Sequence, residues 1–217
     1  MRRSRSTARG YSLIELAVVV ALIAILAGLA IRSLSSGRPR ASLAGAALEL
    51  QTFLHQARQT ALADAKPVAV LIFPNYQYKT QIGRVILYQD GNGDFFKGGT
   101  VNFPAYDPAK FTTGPNSSVI DSYDLPAGVV VGGGGAALVA PYADIPIGSC
   151  SFCTDRGAVR FDERGSATFW SGTGQVGTSV SPSGQSLSLQ TTDPATPGQV
   201  TFVVTAGSGS VVTVRNR

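Results

Sequence analysis

Every one of the 16 residues from 16 to 31 is apolar or glycine, and this run constrains the chain more than any other feature. Four arginines, Arg2, Arg3, Arg5 and Arg9, stand before it, with no acid among residues 2–9. A basic flank ahead of an apolar run is held on the cytoplasmic side, so the chain beyond residue 31 is expected to lie outside. Counted back to Ser12 the run holds 20 residues. At ~1.5 Å per residue that is a helix of about 30 Å, the hydrocarbon thickness of a bilayer. A cleaved secretory signal has an apolar region of roughly 7–15 residues ending at a small-residue site. This run is longer, and no Ala-x-Ala site followed by a polar start closes it. Glu15 stands at its front. A carboxylate in a membrane segment costs about 2.5–3.5 kcal/mol at mid-helix and less near the interface, so it calls for a partner and a function.

Beyond the tip the charge is nearly balanced. The 217 residues carry 18 Lys+Arg against 13 Asp+Glu, a net +5. Without the four arginines of residues 1–10 the balance is 14 against 13, or +1. The basic pI of 9.5 therefore belongs to the tip and does not indicate a nucleic-acid-binding domain. The length fits one globular domain plus extra elements and excludes a large multidomain enzyme. With 44% hydrophobic residues the chain can build a core, which excludes collagen and full disorder, while 25 Gly and 12 Pro favour frequent interruptions.

The run is followed by Gly37-Arg38-Pro39-Arg40, where the missing proline donor predicts a kink or local melting. Helical periodicity then resumes. Leu43, Ala47, Leu50, Leu54, Ala57 and Ala61 form one apolar stripe, on a helix expected to end near residues 64–66 before Pro67. His55, the sole histidine, lies beside the stripe and reads as a structural or surface residue. From residue 68 the pattern turns to period two and β-branched residues, giving expected strands at 68–73, 85–88, 128–131, 158–161, 167–170, 200–204 and 211–214. Residues 132–135 and 171–185 read as exposed loops, and the last two strands as a hairpin. The expected class is α+β: a long N-terminal helix packed on an antiparallel β domain. The divisions are a basic leader at 1–10, an apolar helix at 11–31, its amphipathic continuation at 32–66 and a β-rich domain at 67–217.

The segment Gly10-Tyr11-Ser12-Leu13-Ile14-Glu15-Leu16 resembles the class III signal of type IV pilins and type II secretion pseudopilins, with Tyr11 where the usual form has Phe and Ser12 where it has Thr. The resemblance implies that a prepilin peptidase cleaves after Gly10 on the cytoplasmic side and that the new N-terminal Tyr11 is N-methylated. It also implies that Glu15 pairs with the Tyr11 ammonium of a neighbouring subunit. That pairing is physically reasonable, because opposite charges attract strongly in a low dielectric while either alone is penalised. The implied fold is pilin-like, with the helix first in the inner membrane and then in the core of a filament. Implied partners are other major and minor pilins through this helix, the peptidase, the inner-membrane assembly platform and the inner membrane itself.

Further along, Val85-Ile86-Leu87-Tyr88-Gln89 with Asp90-Gly91-Asn92-Gly93-Asp94, then Leu125-Pro126-Ala127-Gly128-Val129, then Val159-Arg160-Phe161-Asp162-Glu163-Arg164-Gly165, and a closing hairpin are similar in order and spacing to the GspH/FimT minor pilin group. Its final Gly-Arg-x-Arg-like end is here reduced to Arg215-Asn216-Arg217. This resemblance implies a minor pilin that primes or tips a type IV pilus. The alternatives are the H-type minor pseudopilin of a secretion system and a DNA-capturing minor pilin.

Candidate chemistry is sparse. Asp90, Asn92 and Asp94 fill the first, third and fifth places of a calcium loop, but Phe95 replaces its sixth-place Gly and Val101 its final Glu, so a tight turn is favoured over a metal site. Cys150 and Cys153, placed outside the cytoplasm, read as a local disulfide. Zinc would need further Cys or His ligands, and a thioredoxin-like role a βαβ context. No Gly-x-Ser-x-Gly elbow or phosphate-binding glycine loop occurs, so neither enzyme activity nor a cofactor is expected. Arg215 and Arg217 share one face of a strand and are the candidates for contact with DNA phosphates; an ordinary solvated tail is the favoured alternative.

Overall fold

The computed structural model describes residues 13–91, 100–102, 117–133, 138, 142–173, 176–180, 184–194 and 197–216. The chain divides into two units, Met1–Arg38 and Pro39–Arg217. The first element, helix α1 (Leu13–Asp64), is 52 residues long. In the first unit the side chains described, those of residues 13–28 and 38, are all exposed.

Pro39 lies inside α1. Its ring removes the N–H that would bond the Ser35 carbonyl, at a cost of about 3 kcal/mol in a helix interior. The expected local melting at residues 37–40 does not occur, because helix continues on both sides. The stripe that begins at Leu43 holds the second unit's part of the helix by packing. Leu43, Ala47, Leu50, Leu54, Ala57 and Ala61 are all buried, joined by Ala46 and Phe53. At the C-terminal end Ala65 takes a left-handed φ of 50°, which turns the chain out of the helix before Pro67.

The β part forms two antiparallel sheets. Strands β1 (Val68–Tyr78), β2 (Gln81–Asp90), β3 (Thr100–Asn102), β4 (Ser117–Asp124), β6 (Arg156–Phe161), β7 (Ala167–Thr173) and β8 (Val176–Ser179) make the larger sheet, in the order β3-β8-β7-β6-β1-β2-β4. Strands β5 (Val129–Val131), β9 (Gln185–Thr191), β10 (Gln199–Val204) and β11 (Val211–Asn216) make the smaller one, in the order β11-β10-β9-β5. Val68, Val70, Ile72, Val85, Leu87, Val159 and Phe161 of the larger sheet share one core with the α1 stripe and with Leu187, Leu189, Val200, Phe202 and Val204 of the smaller sheet. The alternate residues Ala69, Leu71, Phe73, Ile86, Tyr88, Ala158 and Trp170 gather in a second cluster. Burial on both faces explains why β1 opens as an unbroken apolar run rather than an alternating one.

The seven expected strands become β1, β2, β5, β6, β7, β10 and β11, and β10 and β11 pair as a hairpin from Val204↔Val211 to Gln199↔Asn216. The loop expected at 171–185 is corrected. It holds the end of β7, all of β8 and the buried start of β9, Gln185. Gly132, expected in an exposed loop, is buried beside Gln190; residues 134 and 135 lie outside the described residues.

Candidate functional site

Glu15 is exposed in the first turn of α1, where a negative charge is favoured by the unpaired N–H groups at the positive end of the helix dipole. Gly10 and Tyr11, the expected processing residues, lie outside the described residues. Leu13, Ile14, Leu16, Val18, Leu22, Ile23, Ile25 and Leu26 are each about half exposed or more, so this stretch presents apolar surface all around. A helix that is apolar on every side belongs in lipid or among other helices. Among the described residues no helix is long and apolar enough to cross a membrane. The side chains described there number 16, from residues 13 to 28. They cover about 24 Å of helix, against a hydrocarbon thickness of roughly 30 Å. The side chains of residues 29–31, which complete the expected span, are outside those described.

Asp90 is fully buried at the end of β2, and its N–H donates to the Pro67 carbonyl at 2.9 Å. Asn92 and Asp94 lie outside the described residues. The tight turn expected after it falls largely outside the described residues; Asp90 itself lies opposite Ser117, the first residue of β4. Among the described residues no group of three or more His, Cys, Asp or Glu could hold a metal. His55 is exposed on the outer side of α1, in a shallow depression with Leu48, Gln51, Thr52, Gln56 and Gln59.

Cys150 and Cys153 are joined by a disulfide, and Cys150 makes an isolated bridge to Leu187 of β9. The polar hydroxyls of β9 find partners in the same region: Ser186 Oγ donates to the Pro146 carbonyl at 2.7 Å and Ser188 Oγ to that of Gly148 at 3.0 Å.

Arg215 sits on the edge strand β11 opposite Val200 of β10 and is exposed. With Arg40, Leu43, Ala44, Pro197, Gly198 and Gln199 it lines a groove of about 650 Å³. Arg217, its expected companion, lies outside the described residues. The nearness of Arg40 was not anticipated: some 175 residues separate the two arginines in the chain, and only the packing of α1 against the smaller sheet joins them.

Two further polar features escaped the sequence reading because they involve β4, a strand whose polar sequence carries little strand signal. Arg84 pairs with Asp124. Tyr123 lies against Phe53 of α1, with ring centroids 6.4 Å apart, and its hydroxyl is pushed above the usual phenol range by burial and then by the negative charge of Glu49.

Residues 5–31 match the family model of the prokaryotic N-terminal methylation motif. The match supports a type IV pilin-like or pseudopilin protein, carrying the N-terminal signal that prepilin peptidase processes. No curated protein and no solved structure matches the chain.

Proposed function

We propose that this chain is a minor subunit of a type IV pilus, of the GspH/FimT kind, which helps to prime assembly or forms the tip, and that it is a structural protein rather than an enzyme. The observation that carries this reading is the methylation motif at residues 5–31 with Glu15 in the first helical turn. The peptidase removes residues 1–10, cutting after Gly10, and Tyr11 becomes the methylated N-terminus. The all-apolar stretch of α1 then stays in the inner membrane with the β domain outside, until the subunit is drawn into the filament. Contacts with neighbouring helices replace contacts with lipid there, so the transfer need not be costly. Glu15 sets the register by pairing with the ammonium of a neighbouring subunit's Tyr11. The partners are other pilins, the peptidase and the assembly platform. An H-type pseudopilin of a secretion system would use the same signal in the same way.

Gly10→Ala and Glu15→Ala, each followed by blotting of membranes and of sheared surface filaments, test this. Gly10→Ala should leave a longer, unprocessed form in the membrane, and Glu15→Ala should process normally but be lost from filaments. Normal processing and export of Gly10→Ala would overturn the reading.

A second reading, DNA capture, draws on Arg40 and Arg215 lining one groove. Its test is a gel shift with Arg40→Ala plus Arg215→Ala: unchanged binding would remove the groove as the site.

A further inference from the structure

The segment from residue 146 to residue 155 crosses from one sheet to the other, and its hydrogen bonds divide at the disulfide. On the N-terminal side it runs along β9 of the smaller sheet. The Ser188 N–H donates to the Ser149 carbonyl at 2.8 Å, and the Ser151 N–H to the Ser186 carbonyl at 2.9 Å. Ser151 Oγ donates to Gln185 Oε1 at 2.7 Å and accepts the Ser186 N–H at 2.8 Å. On the C-terminal side the partners belong to the larger sheet. The Thr154 N–H donates to Ser171 Oγ at 2.9 Å, and the Asp155 N–H to the Gly172 carbonyl at 3.0 Å. Between the two sets, Phe152 is driven into the core against Phe169 with ring centroids 5.5 Å apart. Gly157 supplies the space beneath, since a Cβ there would lie 2.7 Å from Cys153 Sγ and 2.8 Å from the Phe152 ring.

The bridged turn is thus the point where one strap changes sheets, and both cysteines are only half-buried. The strap contains three Ser or Thr residues and one Gly, so its own composition does little to hold it in place. We propose that the Cys150–Cys153 bridge is a redox-sensitive clasp: a dithiol reductant opens it and frees residues 146–155 from β9 and β7 while the remainder of the fold stays closed. A thiolate of the reductant attacks one bridge sulfur, and the other cysteine sulfur leaves as a thiolate and takes up a proton. The reductant's second thiol then displaces the first cysteine sulfur, which is protonated in turn. Two electrons and two protons pass to the cysteines, and the dithiol becomes a disulfide.

The experiment uses the full-length chain in detergent, oxidised or treated with dithiothreitol, with amide exchange read at single-residue resolution by mass spectrometry. Opening the clasp exposes the amides of Ser186 and Ser188, which point at the strap, and those of Thr154 and Asp155. The amides of Leu187 and Leu189 alternate with these, point at β10 and stay protected. Exchange at the first group should quicken about tenfold or more, with β1 and β2 unchanged, and reoxidation should restore it. Cys150→Ser plus Cys153→Ser should give the same pattern without reductant. Three results would overturn the proposal: a bridge that resists the dithiol in the folded chain, a reduced chain with unchanged exchange at Ser186 and Ser188, or equal opening of β1 and β2.

Discussion

Arg84 and Asp124 face each other across β2 and β4 and meet through two parallel hydrogen bonds, Nε to Oδ1 at 2.5 Å and Nη2 to Oδ2 at 2.8 Å. The guanidinium also lies over the Tyr76 ring, 4.2 Å from its centroid. The side chains are 14% and 20% exposed, so solvent screens the pair only in part. Asp124→Asn keeps the shape and removes the charge. It should cost about 1–2 kcal/mol in urea denaturation, with little change when salt is raised to about 0.5 M. A loss within about 0.3 kcal/mol of zero would mark the pair as an ordinary surface contact.

Two small residues make opposite predictions. Gly209, in the turn between β10 and β11, has a φ of 60°, and a Cβ there would collide with the Gly165 carbonyl. Gly209→Ala should therefore cost about 2 kcal/mol or more, because the obstacle is backbone and cannot swing aside. Ala65 has a φ of 50° at the end of α1 with no such need for its methyl. Ala65→Gly should raise the unfolding free energy by about 0.5–1 kcal/mol. Thermal or chemical denaturation of both variants checks the pair of signs.

Tyr123 predicts a pH dependence. Its folded pKa is raised, by burial first and by Glu49 second, so its proton is held more tightly in the folded state. The resulting stability is fully present below the unfolded value of about 10 and is lost as pH rises through the folded value. Comparing denaturation at about pH 8 and about pH 11, the wild-type chain should lose more stability than Tyr123→Phe. Equal losses would show that the hydroxyl does not sense its surroundings.

Where one physical signal dominated, the sequence was readable. The α1 stripe from Leu43 to Ala61 is legible because one buried face imposes its spacing on a helix, and β1 because burial on both faces makes it continuously apolar. The strands that were not foreseen follow a different chemistry. β9 reads Gln-Ser-Leu-Ser-Leu-Gln-Thr, in which Leu187 and Leu189 fill the core while Ser186 and Ser188, equally buried, are satisfied by carbonyls of Pro146 and Gly148. Those partners lie 40 and 40 residues away in the chain, so no local pattern announces them. β4 is an edge strand with only Val119, Ile120 and Tyr123 as large apolar residues, as edge strands tend to be. At the candidate site the bridged cysteines were legible, whereas the shared groove of Arg40 and Arg215 depends on tertiary packing.

The central claim is that the apolar helix is kept and only the basic leader is removed. Intact and N-terminal peptide mass spectrometry of the chain recovered from membranes or filaments tests it most directly. The account predicts a mature protein that starts at Tyr11 and carries one added methyl group on its N-terminal nitrogen. A chain that retains residues 1–10, or one that has lost the apolar run altogether, would contradict it.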